Sequence, residues 1–322
     1  MRGILKKKLK TPGATRWNSM FDALKCLLEQ LEDPQKFMEF NELLQRIPKV
    51  SVFVEEDVTI MKEYVTAMEP VAACLDNLQA EEKAYMGMFL PSLFIMKLKL
   101  EKLQSDGNLS HAKPLVDALL DHNGRQGFKA RFGHLFEDDD LLMATALHPH
   151  YKLVAVKNMT KSRAQTDTIQ RRLVEELAAK SGVEESQLEE REASVEDDPF
   201  LQALRQHDMD EMEASQEDAS EKILNDIQAW NRRPIKASME VTRDMFPQNH
   251  REAWMELFIK YNTPLPSSAA VERLFSMASD VLRAKRSCLT AENFENLIFM
   301  KGNMDIIQQH IMSLKIQEEE EK

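Results

Sequence analysis

The sequence predicts a mostly α-helical protein, and three observations carry that expectation. Apolar residues recur at spacings of three and four from Met20 to Leu314, the period of a helix that buries one face. Prolines such as Pro48, Pro234, Pro264 and Pro266 close the periodic runs, because proline cannot continue a helix it does not begin. A hydrophobic content of 43% is enough to build a core behind those faces.

The 322 residues allow one large domain or two ordinary ones. The formal charge of -12 argues against a protein that coats nucleic acid generally, while leaving room for a local basic groove. Cys26, Cys74 and Cys288 lie far apart, so neither a disulfide framework nor a local zinc motif is expected, which fits a reducing compartment. No stretch reaches eighteen apolar residues and the start is charged, so neither a membrane span nor a secretory signal is read.

In chain order, Arg2, Lys6, Lys7, Lys8 and Lys10 form a basic start, either a nuclear address or a solubilising end. Thr15, Arg16, Trp17, Asn18 and Ser19 lead into a helix carrying Met20, Leu24, Leu27, Leu28 and Leu31. A short amphipathic helix over residues 32–50 ends at Pro48. From Val52 a long pattern runs through Met61, Met68 and Leu75, with Pro70 as a potential kink. Leu90, Leu93, Leu98 and Leu103 continue it after Pro91, and Lys97, Lys99 and Lys102 read as a solvated face. Asp106-Gly107-Asn108 is a turn.

Leu115, Leu119 and Leu120 give another stripe. Arg125, Lys129 and Arg131 surround Phe128 and Phe132; a helix with phenylalanines inward and charges outward outweighs a phosphate grip. Asp138, Asp139 and Asp140 suit the positive start of a helix, and their side chains diverge too much to share a metal. His148 and His150, two apart, do not share a helical face. One more helix is expected from Thr166 to Leu177. Between Glu184 and Glu221 acids crowd and apolar residues thin out, which favours a disordered linker.

Helical patterning resumes near Ala219 with Ile223, Ile227 and Trp230, then with Trp254, Leu257, Phe258 and Tyr261. After Pro266, a helix capped by Ser267 or Ser268 carries Val271, Leu274, Phe275 and Ala278. A basic patch, Arg283, Lys285 and Arg286, precedes a second helix opened by Thr290 and Glu292, with Phe294, Leu297, Ile298 and Met300. Two short helices this apolar need a further surface to cover them, in this chain or in another.

The C-terminal pattern resembles the end block of the hAT superfamily of transposases and their domesticated descendants. It runs Ser267, Ser268, Glu272, Arg273, Phe275, Ser276, Arg286, Leu289, Leu297, Lys301 and Asn303, with Ser279 where the family usually has glycine. The Thr-Arg-Trp-Asn-Ser string at 15–19 is similar to the motif that opens the family's helical insertion domain, and Leu147 to Lys152 resembles a marker within it, with His148 and His150 as departures. The resemblance implies a helical insertion domain joined to the C-terminal helices of a truncated ribonuclease-H-like fold, as in zinc finger BED domain-containing proteins without the finger. The implied division is a basic extension over 1–13, an insertion-like domain over 14–180, an acidic linker over 181–218, a hAT-like dimerisation region over 219–310 and a charged tail over 311–322.

Family catalysis uses three carboxylates and two divalent ions, and Glu272 matches the third carboxylate. The sixteen residues before Trp17 contain no Asp or Glu, so Glu272 is expected to be a relic, paired with Arg273 or Arg286, and no enzyme activity, metal or other cofactor is expected. The resemblance implies dimerisation through Leu274, Phe275, Leu297, Ile298 and Phe299, with a second copy or a related hAT-like protein. Duplex DNA is the partner of the alternative reading, through Arg16, Trp17, Arg283, Lys285 and Arg286; a ring beside a cation suits an unpaired base, but in this chain the packing role of Trp17 is expected to have outlived a DNA role. Neither membrane nor small-molecule substrate is expected, and the expected location is the nucleus. The leading expectation is a non-catalytic protein acting through association, the alternative a nuclear DNA-associated transcriptional regulator.

Overall fold

The computed structural model describes residues 8–13, 18–80, 84–121, 125–160, 162–189, 220–236, 239–281, 289–304 and 306–312, with backbone alone for 182–189, 277 and 280. The expected mostly helical character holds: the described residues form helices and turns, with no strand among them. They fall into two compact units, up to Pro266 and from Ser267 onward.

In the first unit, α1 (Ser19–Leu31) and α2 (Pro34–Gln45) are separated by Asp33, whose carboxylate accepts the Gln35 N–H at 3.0 Å with Pro34 in the first turn. That pairing satisfies one orphan amide while proline occupies a position whose N–H has no helical partner. Helix α3 (Glu55–Leu78) accommodates Pro70 in its interior. It packs between α1 and α4 (Phe89–Asp106), which ends at Gly107 in the left-handed conformation (φ 67°). The Glu63 carboxylate of α3 accepts backbone N–H groups of Ser110, His111 and Ala112 at 3.1, 2.6 and 2.9 Å. Those hydrogen bonds hold its pKa below the usual carboxylate value and tie α3 to the start of α5 (Lys113–Leu120). In α6 (Phe128–Phe132) Phe128 is buried while Lys129 and Arg131 are exposed, as the inward-phenylalanine expectation requires.

Asp138 caps α7 (Asp139–Leu147), accepting from the Asp140 and Leu141 N–H groups at 2.9 and 3.0 Å. From Leu142 to Leu147 helix α7 is buried on all sides and forms the centre of the larger core, followed by α8 (Lys152–Met159). Helix α9 spans Arg163–Glu189, longer than the Thr166–Leu177 expectation and past the boundary expected at 180. Glu, Gln and Leu at 184–189 are strong helix formers, so the backbone continues where composition suggested a linker. The remainder of the expected linker, 190–218, lies outside the described residues.

A second difference concerns 219–266. The helix over residues 220–232, here α10, and α11 (Arg251–Asn262) join the core of α7, α8 and α9. Ile223, Ile227, Trp230, Trp254 and Leu257 share one cluster with Leu142, Leu147, Leu173 and Leu177. Burial of that apolar face explains why the compact boundary falls at 266/267 rather than at the expected 218/219. At the α9–α11 contact, Glu176 accepts from Arg172 (3.1 Å), Lys260 (2.8 Å) and Tyr261 Oη (2.5 Å). Asn262 donates to the Ala144 carbonyl at 3.1 Å and accepts the Gly87 N–H at 2.8 Å.

In the second unit, α12 (Ala269–Val281) and α13 (Ala291–Gly302) pack together, with helical residues again at 306–312.

Candidate functional site

The α12–α13 pair starts from its caps. Ser267 Oγ accepts the Ala269 N–H at 3.3 Å, and Ser268 Oγ donates to Glu272 Oε1 at 2.7 Å. Thr290 Oγ1 accepts the Asn293 N–H at 3.3 Å. Both helix starts are therefore where the serine and threonine capping expectation put them. Gly302 has no Cβ, and one built there would stand 3.1 Å from Leu274 Cδ1; the glycine lets the helices approach.

That contact sorts the five residues expected to dimerise. Leu274 and Ile298 are half-buried. Phe275, Leu297 and Phe299 are exposed, at 66%, 41% and 67%. Around them Val271, Met300, Met304 and Ile306 are also exposed. Monomeric proteins rarely leave such apolar groupings on contiguous helices without a partner to cover them. Glu272, the expected catalytic relic, lies exposed at the start of α12 and receives the Ser268 hydroxyl. Arg286, one of its expected partners, lies outside the described residues, as do Arg16, Trp17, Arg283 and Lys285, all expected DNA contacts.

Among the described residues, no three His, Cys, Asp or Glu side chains gather where they could hold a metal ion. No described helix is long and apolar enough to cross a membrane.

The first unit holds a polar cluster that sequence reading treated as a marker without chemistry. His148 is 1% exposed, ringed by Tyr85, Tyr151 and Phe258. Its Nδ1 accepts the His150 N–H at 3.3 Å, and its Nε2 has no hydrogen-bond partner. Burial first, and the neighbouring His150 second, push its pKa down to about 3, because a charged imidazole would lose its hydration there. Lys152 sits in the left-handed region (φ 58°) with its Nζ 2.7 Å from the Trp230 carbonyl and 2.6 Å from that of Arg233, against the Trp230 ring. It thus donates to carbonyls at the end of α10, that of Trp230 also accepting the Arg233 N–H at 3.1 Å. Its pKa falls to about 8, from burial and then from Arg233. The sequence spacing of two between His148 and His150 gave no hint of this, since the partners come from 78 residues away for Lys152.

Comparison with protein-family models and with curated proteins gives no match for this chain.

Proposed function

We propose that this chain is a non-catalytic, hAT-transposase-derived nuclear protein that acts by associating with a protein partner, a second copy or a related hAT-like chain, through the exposed apolar face of α12 and α13. The observation that carries the reading is the exposure of Phe275, Leu297 and Phe299 on two adjacent, capped helices. The ordered motif from Ser267 to Asn303 and the Thr-Arg-Trp-Asn-Ser string support the family origin. Under this reading the truncated ribonuclease-H-like fold has kept its outer helices, and Glu272 serves the start of α12 through the Ser268 hydroxyl.

Burying one Leu or Phe contributes roughly 1.5–3 kcal/mol, and a two-fold interface uses each residue twice. Three such residues per copy, 41–67% exposed, reach roughly 5–10 kcal/mol before association costs of about 4–15 kcal/mol. A micromolar dimer needs about 8 kcal/mol net, so the contact must also cover neighbours such as Val271, Met300 and Ile306. Sedimentation equilibrium over a hundredfold concentration range is expected to show a monomer–dimer shift. The Phe275→Ser/Phe299→Ser double variant is expected to remain monomeric with unchanged circular dichroism. A wild-type chain that stays monomeric at high micromolar concentration overturns the association reading.

The second reading is a DNA-associated transcriptional regulator, favoured by the sequence clusters Lys6 to Lys10 and Arg283 to Arg286. Salt-dependent binding to duplex DNA would distinguish it, since each phosphate neutralised steepens the salt dependence.

A further inference from the structure

The connector between α2 and α3 is made of residues that favour strands. Val50, Ser51, Val52, Phe53 and Val54 put four β-branched or aromatic apolar residues into five positions, in a chain whose described residues contain no strand to receive them. The backbone there is nevertheless extended. The Phe53 N–H donates to Asn41 Oδ1 and the Phe53 carbonyl accepts from Asn41 Nδ2, both at 2.9 Å. Both groups of one residue reach a single amide only when they point the same way, as they do in a strand. Val54 is extended as well (φ -104°, ψ 168°). The Asn41 side chain of α2 thus stands where a neighbouring strand would stand, and sets the segment in strand form.

In an extended chain the backbone groups of successive residues face opposite edges. Those of Phe53 face Asn41, so those of Val52 and Val50 face away. Among the described residues nothing donates to or accepts from the Val52 backbone, and nothing donates to the Val50 carbonyl. Two side chains lack cover too, with Val50 45% and Val54 54% exposed. Val52 and Phe53 pack against the cluster of Leu31, Phe40 and Leu44, which accounts for those two alone. Val54 is moreover the N-cap of α3 and makes no side-chain cap there, at a position where valine ranks far below serine, asparagine or aspartate. A residue that serves its own helix poorly and stands exposed marks a place where local rules yield to another use.

We infer that Val50 to Val54 is a docking strand, and that its occupant is a partner protein with an open β-sheet edge bordered by lysine or arginine. Strand addition supplies what the segment lacks: main-chain partners for Val52 and Val50, and a surface for the alternate valines. The flanking charge decides the kind of edge. Glu55 and Glu56 follow the strand directly and are exposed, and among the described residues neither is ion-paired. Acids suit a helix start, but Asp57 already serves that of α3 by accepting the Val54 N–H at 2.9 Å. Glu55 and Glu56 remain to face a partner. Proteins guard their open sheet edges with lysine above all, so two unpaired carboxylates at the end of a docking strand select an edge of that kind.

A second copy of this segment fits less well. Antiparallel pairing about Val52 would bring Val54 opposite Val50, but the Val54 N–H is held by Asp57 and its carbonyl by the Val58 N–H at 3.3 Å. The two Val52 bonds alone would form, and two short strands with no sheet behind them are marginal in water. A sheet edge is ordered before it binds, as Asn41 orders this strand, so little ordering is left for the moment of contact. The segment lies in the first unit, and the inference does not draw on the α12–α13 surface.

The test uses the full chain and, as probe, a ubiquitin-like β-grasp domain whose open sheet edge is bordered by lysines. Calorimetric titration is expected to show binding in the micromolar range. In residue-resolved amide exchange the bound probe is expected to slow the Val52 N–H at least tenfold and to leave the Ser51 N–H, on the Asn41 side, unchanged. Glu55→Lys/Glu56→Lys is expected to weaken binding at least tenfold with unchanged circular dichroism. Val54→Ser supplies a better cap, so it is expected to raise the melting temperature while weakening binding; a connector with no partner would show the first effect alone. Absence of binding at high micromolar concentration overturns the inference. So does equal slowing of Ser51 and Val52, or full binding by the charge-reversed variant. A Val52 amide that slows with the chain's own concentration, without probe, gives the strand to a second copy and overturns the proposed partner. None of these outcomes touches the association through α12 and α13, which the Phe275→Ser/Phe299→Ser variant reads separately.

Discussion

Helices α11 and α13 are each twelve residues long and carry aromatic and aliphatic residues at helical spacing, yet they end in opposite environments. Trp254, Leu257, Phe258 and Tyr261 of α11 are buried, whereas α13 has no buried residue. The cause is what surrounds each. Helix α11 has α7 and α9 against it, with the Trp230 ring tilted against Trp254 and the Phe246 ring edge-on to Phe258. Helix α13 packs on α12, which covers one side. Apolar periodicity therefore identifies a face that seeks cover, and topology decides whether its own unit provides that cover.

Truncating the buried side should separate the two helices most. Trp254→Ala removes a fully buried indole from the core and is expected to cost about 3–5 kcal/mol in urea unfolding. A loss below about 1 kcal/mol would mean that α11 contributes no more to its core than α13 does to its surroundings.

Acid should act on the first unit through His148. Its folded pKa of about 3 lies below the unfolded value, so protonation favours unfolding. The stability held by neutral His148 is complete above about pH 6.5 and is lost as pH falls toward 3, at about 1.4 kcal/mol per unit. Between pH 6.5 and 5 the wild type is expected to lose about 2 kcal/mol, and His148→Phe should flatten that slope. Glu63 and Glu176, whose pKa values are lowered, add their own losses further into acid. An unchanged slope in His148→Phe would remove the histidine from this account.

The smallest effect is expected at the exposed helix. Phe299→Ser at a concentration where the chain is monomeric should change unfolding stability by less than about 0.5 kcal/mol. A loss comparable to that of Trp254→Ala would place Phe299 inside a core and erase the contrast.

Much of this was legible from residue order, because local chemistry sets helices. Asp138 at a helix start, Gly107 as a stop and Thr290 as a start are decided by groups within a few residues of each other; the Asp33 cap of α2, equally local, was not read. The inward turn of Phe128 also followed from periodicity alone. The extent of α9 did not, since acidic composition suggested a linker where helix propensity prevailed up to Glu189. Nor did the membership of α10 and α11 in the larger core, a matter of long-range packing that no spacing encodes. At the surface site, spacing marked Leu274 and Phe275 equally as apolar. Only the approach of Gly302 separates them, leaving Leu274 partly covered and Phe275 in solvent.

Lys152 gives the first unit an internal reporter. The residue is 4% exposed and its amine donates to two carbonyls at the end of α10, so an amine-reactive reagent reaches it only when that helix end opens. Its pKa of about 8 belongs to the closed form; once released, the amine regains ordinary lysine basicity and reacts at the ordinary rate. The ratio of its acylation rate to that of a solvent-exposed lysine such as Lys99 would then equal the fraction of time the contact is broken, provided reclosing outpaces labelling. One slow lysine among fast ones turns mass-spectrometric labelling into a measure of local opening free energy, without denaturant.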